Sequence, residues 1–66
     1  MLHNLKLSLR ETEIVNLIAQ AKCRKVIATE LNIAVSTVDK HLHNIFLKTK
    51  TTSTQELMLW IINSKQ

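Results

Sequence analysis

The sequence has no glycine and no proline in 66 residues. Tight hairpin turns, phosphate-cradling loops and nucleophile elbows are built from those two residues, so their absence argues against each and favours an all-α domain. No apolar run approaches the ~20 residues that cross a bilayer, and Met1 to Leu9 alternates polar and apolar residues, so neither a membrane span nor a signal peptide is expected. The one cysteine, Cys23, cannot form an internal disulfide, which fits a reducing cytoplasm. A chain this short has room for one domain, residues 1–66, with no sizeable core. A partner subunit or very regular helix packing is expected to supply the missing stability.

Basic charge is present, and it is grouped. The net charge is +4. Ile14 to Thr29 contains Lys22, Arg24 and Lys25 and no acid; Lys40 to Gln55 contains Lys40, Lys48, Lys50 and two histidines, again with no acid. Grouping of this kind suits a phosphate backbone. A solvated basic face with no partner is the plainer alternative.

The stretch Asn32 to Lys50 organises the rest. Wound as a helix, it turns Val38, Leu42, Ile45 and Phe46 to one side, with Thr49 continuing the line. The opposite side collects Ser36, Lys40, His43 and Asn44, hydrogen-bonding groups with no acid among them, and such a side can face DNA. Any amphipathic helix has a polar face, so the neighbours must decide. Upstream, Ala28 to Thr37 reads as a short apolar helix that stops and restarts within a few residues, with the small Ala28 at the crossing, which is how a helix-turn-helix pair is built.

Local signals place four helices, at about 9–21, 24–31, 35–49 and 54–64, after a frayed leader, residues 1–7, whose Leu7 can tuck under the first helix. Ser8 and Glu11 form a capping box; Ile14, Val15, Leu17 and Ile18 should face inward. Ala21-Lys22 must end that helix without glycine, so a tighter or more helical turn is expected. The second helix buries Ile27, Ala28 and Leu31, has the poor cap Cys23, and ends on Asn32, which tolerates the left-handed conformation. Ser53 and Glu56 form a second capping box. The fourth helix is apolar all round: Leu57, Trp60 and Ile61 point one way, leaving Met58, Leu59 and Ile62 as a strip for a partner.

Together these residues resemble the LuxR-type helix-turn-helix domain of bacterial regulators. Leu7-Ser8-Leu9-Arg10-Glu11-Thr12-Glu13-Ile14-Val15 follows the family's opening, Leu17-Ile18-Ala19-Gln20-Ala21 and Ile27-Ala28-Thr29-Glu30-Leu31-Asn32-Ile33-Ala34 its middle. Thr37-Val38-Asp39-Lys40-His41-Leu42-His43-Asn44-Ile45 matches its Thr-Val-x-x-His-x-x-x-Ile in full. The likeness covers about Leu7 to Ile62 and implies a four-helix bundle, DNA binding and transcriptional regulation in bacteria, hence a cytoplasmic, nucleoid-associated protein. The chain departs from the pattern at Ala21, Cys23, Ala34 and Thr49-Lys50, all turns or caps, and at Asp39, where the family often carries a basic or polar residue. An acid there repels phosphate but can accept from the amino group of cytosine.

The expected interface follows. Lys40, His43 and Asn44, with Asp39, are the candidates for base edges; Lys22, Arg24, Lys25, Ser36, Thr37, His41, Lys48 and Lys50 flank them and should hold phosphates, about five or six per chain. A homodimer through Met58, Leu59 and Ile62 is expected. Catalysis is not, because there are no paired carboxylates and no oxyanion-hole glycines. Nor is a metal or other cofactor: His41 and His43 stand two apart on a helix and point to different faces, and Cys23 and His3 add no metal spacing. Trp60 lies in the apolar run, away from the basic groups, and reads as a core and interface anchor and not as a base-stacking platform. The rival reading is a protein-interaction module, a helix-turn-helix that has lost base readout and binds another regulator or the transcription machinery through its last helix.

Overall fold

The computed structural model describes residues 7–64. These form four helices and no strand: α1 (Leu9–Ala19), α2 (Arg24–Leu31), α3 (Val35–Thr49) and α4 (Thr54–Ser64). All but Leu7 of the expected leader lies outside the described residues; Leu7 packs, partly buried, against the core. α3 touches each of the other three helices, and α1 also meets α4. The core takes Ile14, Val15 and Ile18 from α1, Ile27 and Ala28 from α2, Val38, Leu42 and Ile45 from α3, and Leu57 and Ile61 from α4. Burying an aliphatic side chain of this size contributes about 1.5–3 kcal/mol, so this one cluster sets where α3 sits. Leu17, Leu31, Phe46 and Trp60, expected to face inward, only line its edge, because the heart of a domain this small is filled by the isoleucines and leucines beneath them.

The helix starts follow local chemistry. Ser8 Oγ accepts from the Glu11 amide at 3.1 Å while Glu11 Oε1 accepts from the Ser8 amide at 2.9 Å, a complete capping box. The second box is only half made. Ser53 Oγ accepts from the Glu56 amide, but the Glu56 carboxylate turns to the amide and hydroxyl of Thr52, one residue further upstream. Cys23 and Ala34, which begin α2 and α3, make no side-chain cap hydrogen bond.

The helix ends show how a chain without glycine turns. Ala21, Asn32 and Lys50 all take positive φ, at 65°, 59° and 59°. Each is followed by a residue whose amide bonds back into the last helical turn: Lys22 to Leu17 O at 3.2 Å, Ile33 to Ala28 O at 2.9 Å and Thr51 to Phe46 O at 3.0 Å. This is the closure that normally uses glycine. α1 therefore stops at Ala19 and leaves through a left-handed turn, where the sequence suggested helix to residue 21. A Cβ in the left-handed region costs about 1–2 kcal/mol, less for Asn. Ala21→Gly should accordingly raise the unfolding free energy by about 1 kcal/mol, net of glycine's larger unfolded-state entropy. Urea denaturation of the two proteins checks it; an unchanged midpoint would mean that the turn relaxes at no cost.

Candidate nucleic-acid interface

α2, a three-residue turn and α3 make a helix-turn-helix, with Ala28 buried at the crossing. Val38, Leu42, Ile45 and Thr49 are buried beneath α3, and Thr49 satisfies its hydroxyl on Ile45 O at 2.9 Å. The other side is open: Ser36, Lys40, His43 and Asn44 are all exposed, and they lie within one arc of the helix. The packing of the buried side dictates that arc. Leu47, 66% exposed, falls seven residues after Lys40 and so on the same arc. Sequence reasoning passed over it because it looked for polar groups; the seven-residue spacing was the available signal. Thr37 and His41 are half-buried at the flank of α3.

The basic groups divide into two sets. Lys22 Nζ pairs with Glu30 Oε2 at 2.5 Å, Arg24 Nη1 with Asp39 Oδ1 at 2.5 Å, and Lys48 Nζ with Glu11 Oε1 at 2.7 Å. Lys25, Lys40 and Lys50 are exposed and have no ion-pair partner among the described residues. Three of the expected phosphate ligands thus already hold acids of the same chain. The Arg24–Asp39 pair ties the start of α2 to the second turn of α3 and cancels the one acid near the open arc. Surface pairs of this kind contribute roughly 0–1 kcal/mol, so they set geometry and charge more than stability.

Glu11 is different, being buried at 4% exposure. Burial alone pushes its carboxyl pKa up. The Lys48 ammonium, the Ser8 amide and the charge of His41 together outweigh that and hold it below the ordinary 4.5. Lys48 therefore braces the C-terminal half of α3 against the start of α1. His41, close enough to act on the same carboxylate, lies on that flank. Cys23 is exposed and makes no cap hydrogen bond, but the amides of Val26 and Lys25 at the start of α2 favour its thiolate and lower its pKa.

Along α4, Leu57 and Ile61 are buried, while Leu59 and Ile62 are 61% and 54% exposed. Met58 lies between the two sets, half-buried against the core beside Ile18 and Ala21. Among the described residues no three His, Cys, Asp or Glu side chains gather as a metal would need, and no helix is long and apolar enough to cross a membrane.

A buried four-helix core, a short turn after α2, and an α3 that presents Lys40, His43 and Asn44 to solvent define a helix-turn-helix domain of the DNA-binding regulatory class. Residues 5–61 match the family model for bacterial regulatory proteins, luxR family, and the chain belongs to that family. It is 42% identical over 52 residues to the monoamine regulon transcriptional regulator of Klebsiella aerogenes, covering 79% of this chain and 23% of that protein. It is 34% identical over 64 residues to the probable transcriptional regulator ycf29 of Cyanophora paradoxa, covering 94% of this chain and 30% of that protein. The chain thus spans less than a third of the length of either relative.

Proposed function

We propose that this chain binds double-stranded DNA with sequence preference and regulates bacterial transcription from the cytoplasm, with α3 in the major groove. The observation that carries the reading is the split of α3 into a buried apolar side and an exposed arc of Ser36, Lys40, His43 and Asn44, with the nearby acid neutralised. An exposed helix of this width fits the major groove, where base edges are distinguishable. Lys40, His43 and Asn44 meet base edges, as does Asp39, and Leu47 faces an apolar group such as a thymine methyl. Lys25, Lys50, Ser36 and Thr37 hold phosphates, joined by His41 at the flank, while Lys22 and Arg24 stay on Glu30 and Asp39.

Lys40→Ala should cost about 1–3 kcal/mol on the preferred site and blunt the choice of base at one position. Lys50→Ala should weaken all sequences about equally. Anisotropy titrations over a panel of mutated sites separate the two. If both substitutions behaved alike, α3 would be rotated from the orientation argued here.

The exposed Leu59 and Ile62, with Met58 at their edge, meet the same strip of a second copy about a two-fold axis. Such a pair presents two α3 helices to successive major grooves about 34 Å or ~10 base pairs apart, favouring inverted repeats. Ile62→Glu should leave the chain helical, dissociate the dimer, and reduce affinity for paired half-sites at least about tenfold more than for one half-site. Sedimentation equilibrium beside DNA titration reads both effects. A Glu variant that stayed dimeric would assign the strip to another partner.

A further inference from the structure

We propose that Asp39 reads cytosine in the major groove and that Arg24 is the residue that positions it to do so. This rests on the DNA-binding reading above and names the base and the device at one point of that interface. A carboxylate near the exposed arc of α3 would ordinarily be repelled by the phosphates on either side of the groove. Here its Oδ1 accepts from Arg24 Nη1 at 2.5 Å, so the pair enters the groove with no net charge. The bond also orients the carboxylate, since Arg24 stands at the first position of α2 and Asp39 beside the fully buried Val38.

The chemistry of the other oxygen selects the base. Oδ2 has no partner among the described residues, and an ionised carboxylate can only accept. In the major groove guanine offers the acceptors O6 and N7, and thymine the acceptor O4, so both oppose it. Adenine offers the N6 amino group but sets the N7 acceptor beside it. Cytosine alone offers a donor, its N4 amino group, with no acceptor beside it on its own major-groove edge. Asp39 stands one residue before Lys40 and one helical turn before His43, and with His43 it borders a shallow groove of about 290 Å³ on the flank of α3 toward Ser53 and Thr54, so it lies at the edge of the exposed arc. Arg24 touches Asp39 and acts through it; it is a positioning residue for this contact.

The test is selection from a randomised duplex library with the wild-type chain and with Asp39→Asn, Asp39→Ala, Arg24→Ala and Arg24→Lys, followed by anisotropy titration on the selected site and its single-base variants. All four changes are at solvent-accessible side chains, and circular dichroism checks that the variants stay helical. The wild type should prefer cytosine at one position by about tenfold. Asp39→Asn should move that position to adenine, which an amide can meet with one donor and one acceptor. Asp39→Ala should erase the preference there and nowhere else. Arg24→Ala should reduce discrimination at that same position beyond its uniform loss of affinity, and Arg24→Lys should restore part of it. If Asp39→Ala instead raises affinity for every sequence equally and no position changes its base, Asp39 merely repels phosphate and the inference is overturned while DNA binding stands. Failure of the wild type to bind any duplex would overturn both.

Discussion

Binding to duplex DNA should fall about fortyfold per chain as monovalent salt rises from ~50 to ~200 mM, and more than about a thousandfold for two chains on paired half-sites. Each neutralised phosphate releases condensed cations with a log-log slope of about −0.9. The sequence suggested about five or six such contacts per chain. The structure lowers that number, because Lys22, Arg24 and Lys48 are occupied by Glu30, Asp39 and Glu11. Lys25 and Lys50 remain for phosphates and Lys40 adds its charge in the groove, three unpaired cations among the described residues for a slope of about −3 per chain. Titrations at four or five salt concentrations on a single half-site give the number directly. A slope near about −5 would mean that the intramolecular pairs open when phosphate arrives. An affinity indifferent to salt would favour the rival reading, a protein-interaction module working through α4.

The second large effect is on stability. Lys48→Ala should lower the unfolding free energy by about 2–3 kcal/mol, because it leaves the Glu11 carboxylate buried without its cation. The figure lies below the 3–5 kcal/mol typical of a broken buried pair for two reasons: the Lys48 side chain is itself 38% exposed, and the Ser8 amide still holds the carboxylate. Against a total of roughly 3–10 kcal/mol for a chain of this length, that is a large fraction. Its pH dependence has a definite sign. Glu11 has a folded pKa below its ordinary 4.5, so its contribution is fully present above that value and is lost as pH falls through the lower folded one. Acid unfolding of the wild type should therefore begin below about pH 4.5. In Lys48→Ala that acid-dependent loss should shrink, since burial then opposes a weaker stabilisation of the carboxylate. Thermal melts of both proteins between neutral pH and pH 3 measure it, and equal slopes would show that Lys48 does not hold Glu11 in solution. The outcome also bears on DNA binding: a weakened Lys48→Ala complex would report a loosened α3 before it reported a lost phosphate contact.

Much of the fold was legible because its causes are local. The Ser8–Glu11 box joins residues three positions apart, the buried stripe Val38, Leu42, Ile45, Thr49 repeats at helical spacing, and Asn32 carries its own tolerance of the left-handed turn. Helix number and the side of α3 left open to solvent follow from such neighbours along the chain. The Ala21 turn was less legible, since alanine carries no sign that it will take a positive φ; it does so where the chain leaves α1 and the Lys22 amide closes on Leu17 O.

What the sequence by itself determined is the all-α architecture, the helix-turn-helix and the basic, acid-poor character of its outer face. What only the tertiary structure decided is which cations are available to a ligand. The pairs Lys22–Glu30, Arg24–Asp39 and Lys48–Glu11 join residues 8, 15 and 37 positions apart. No periodicity within one helix brings such residues together. They meet because the shared core of Ile14, Ile27 and Val38 draws α1, α2 and α3 to fixed relative positions. A charge count reads Lys48 and Lys50 as equals; the packed structure sets the ammonium of one on a buried carboxylate and leaves the other in water.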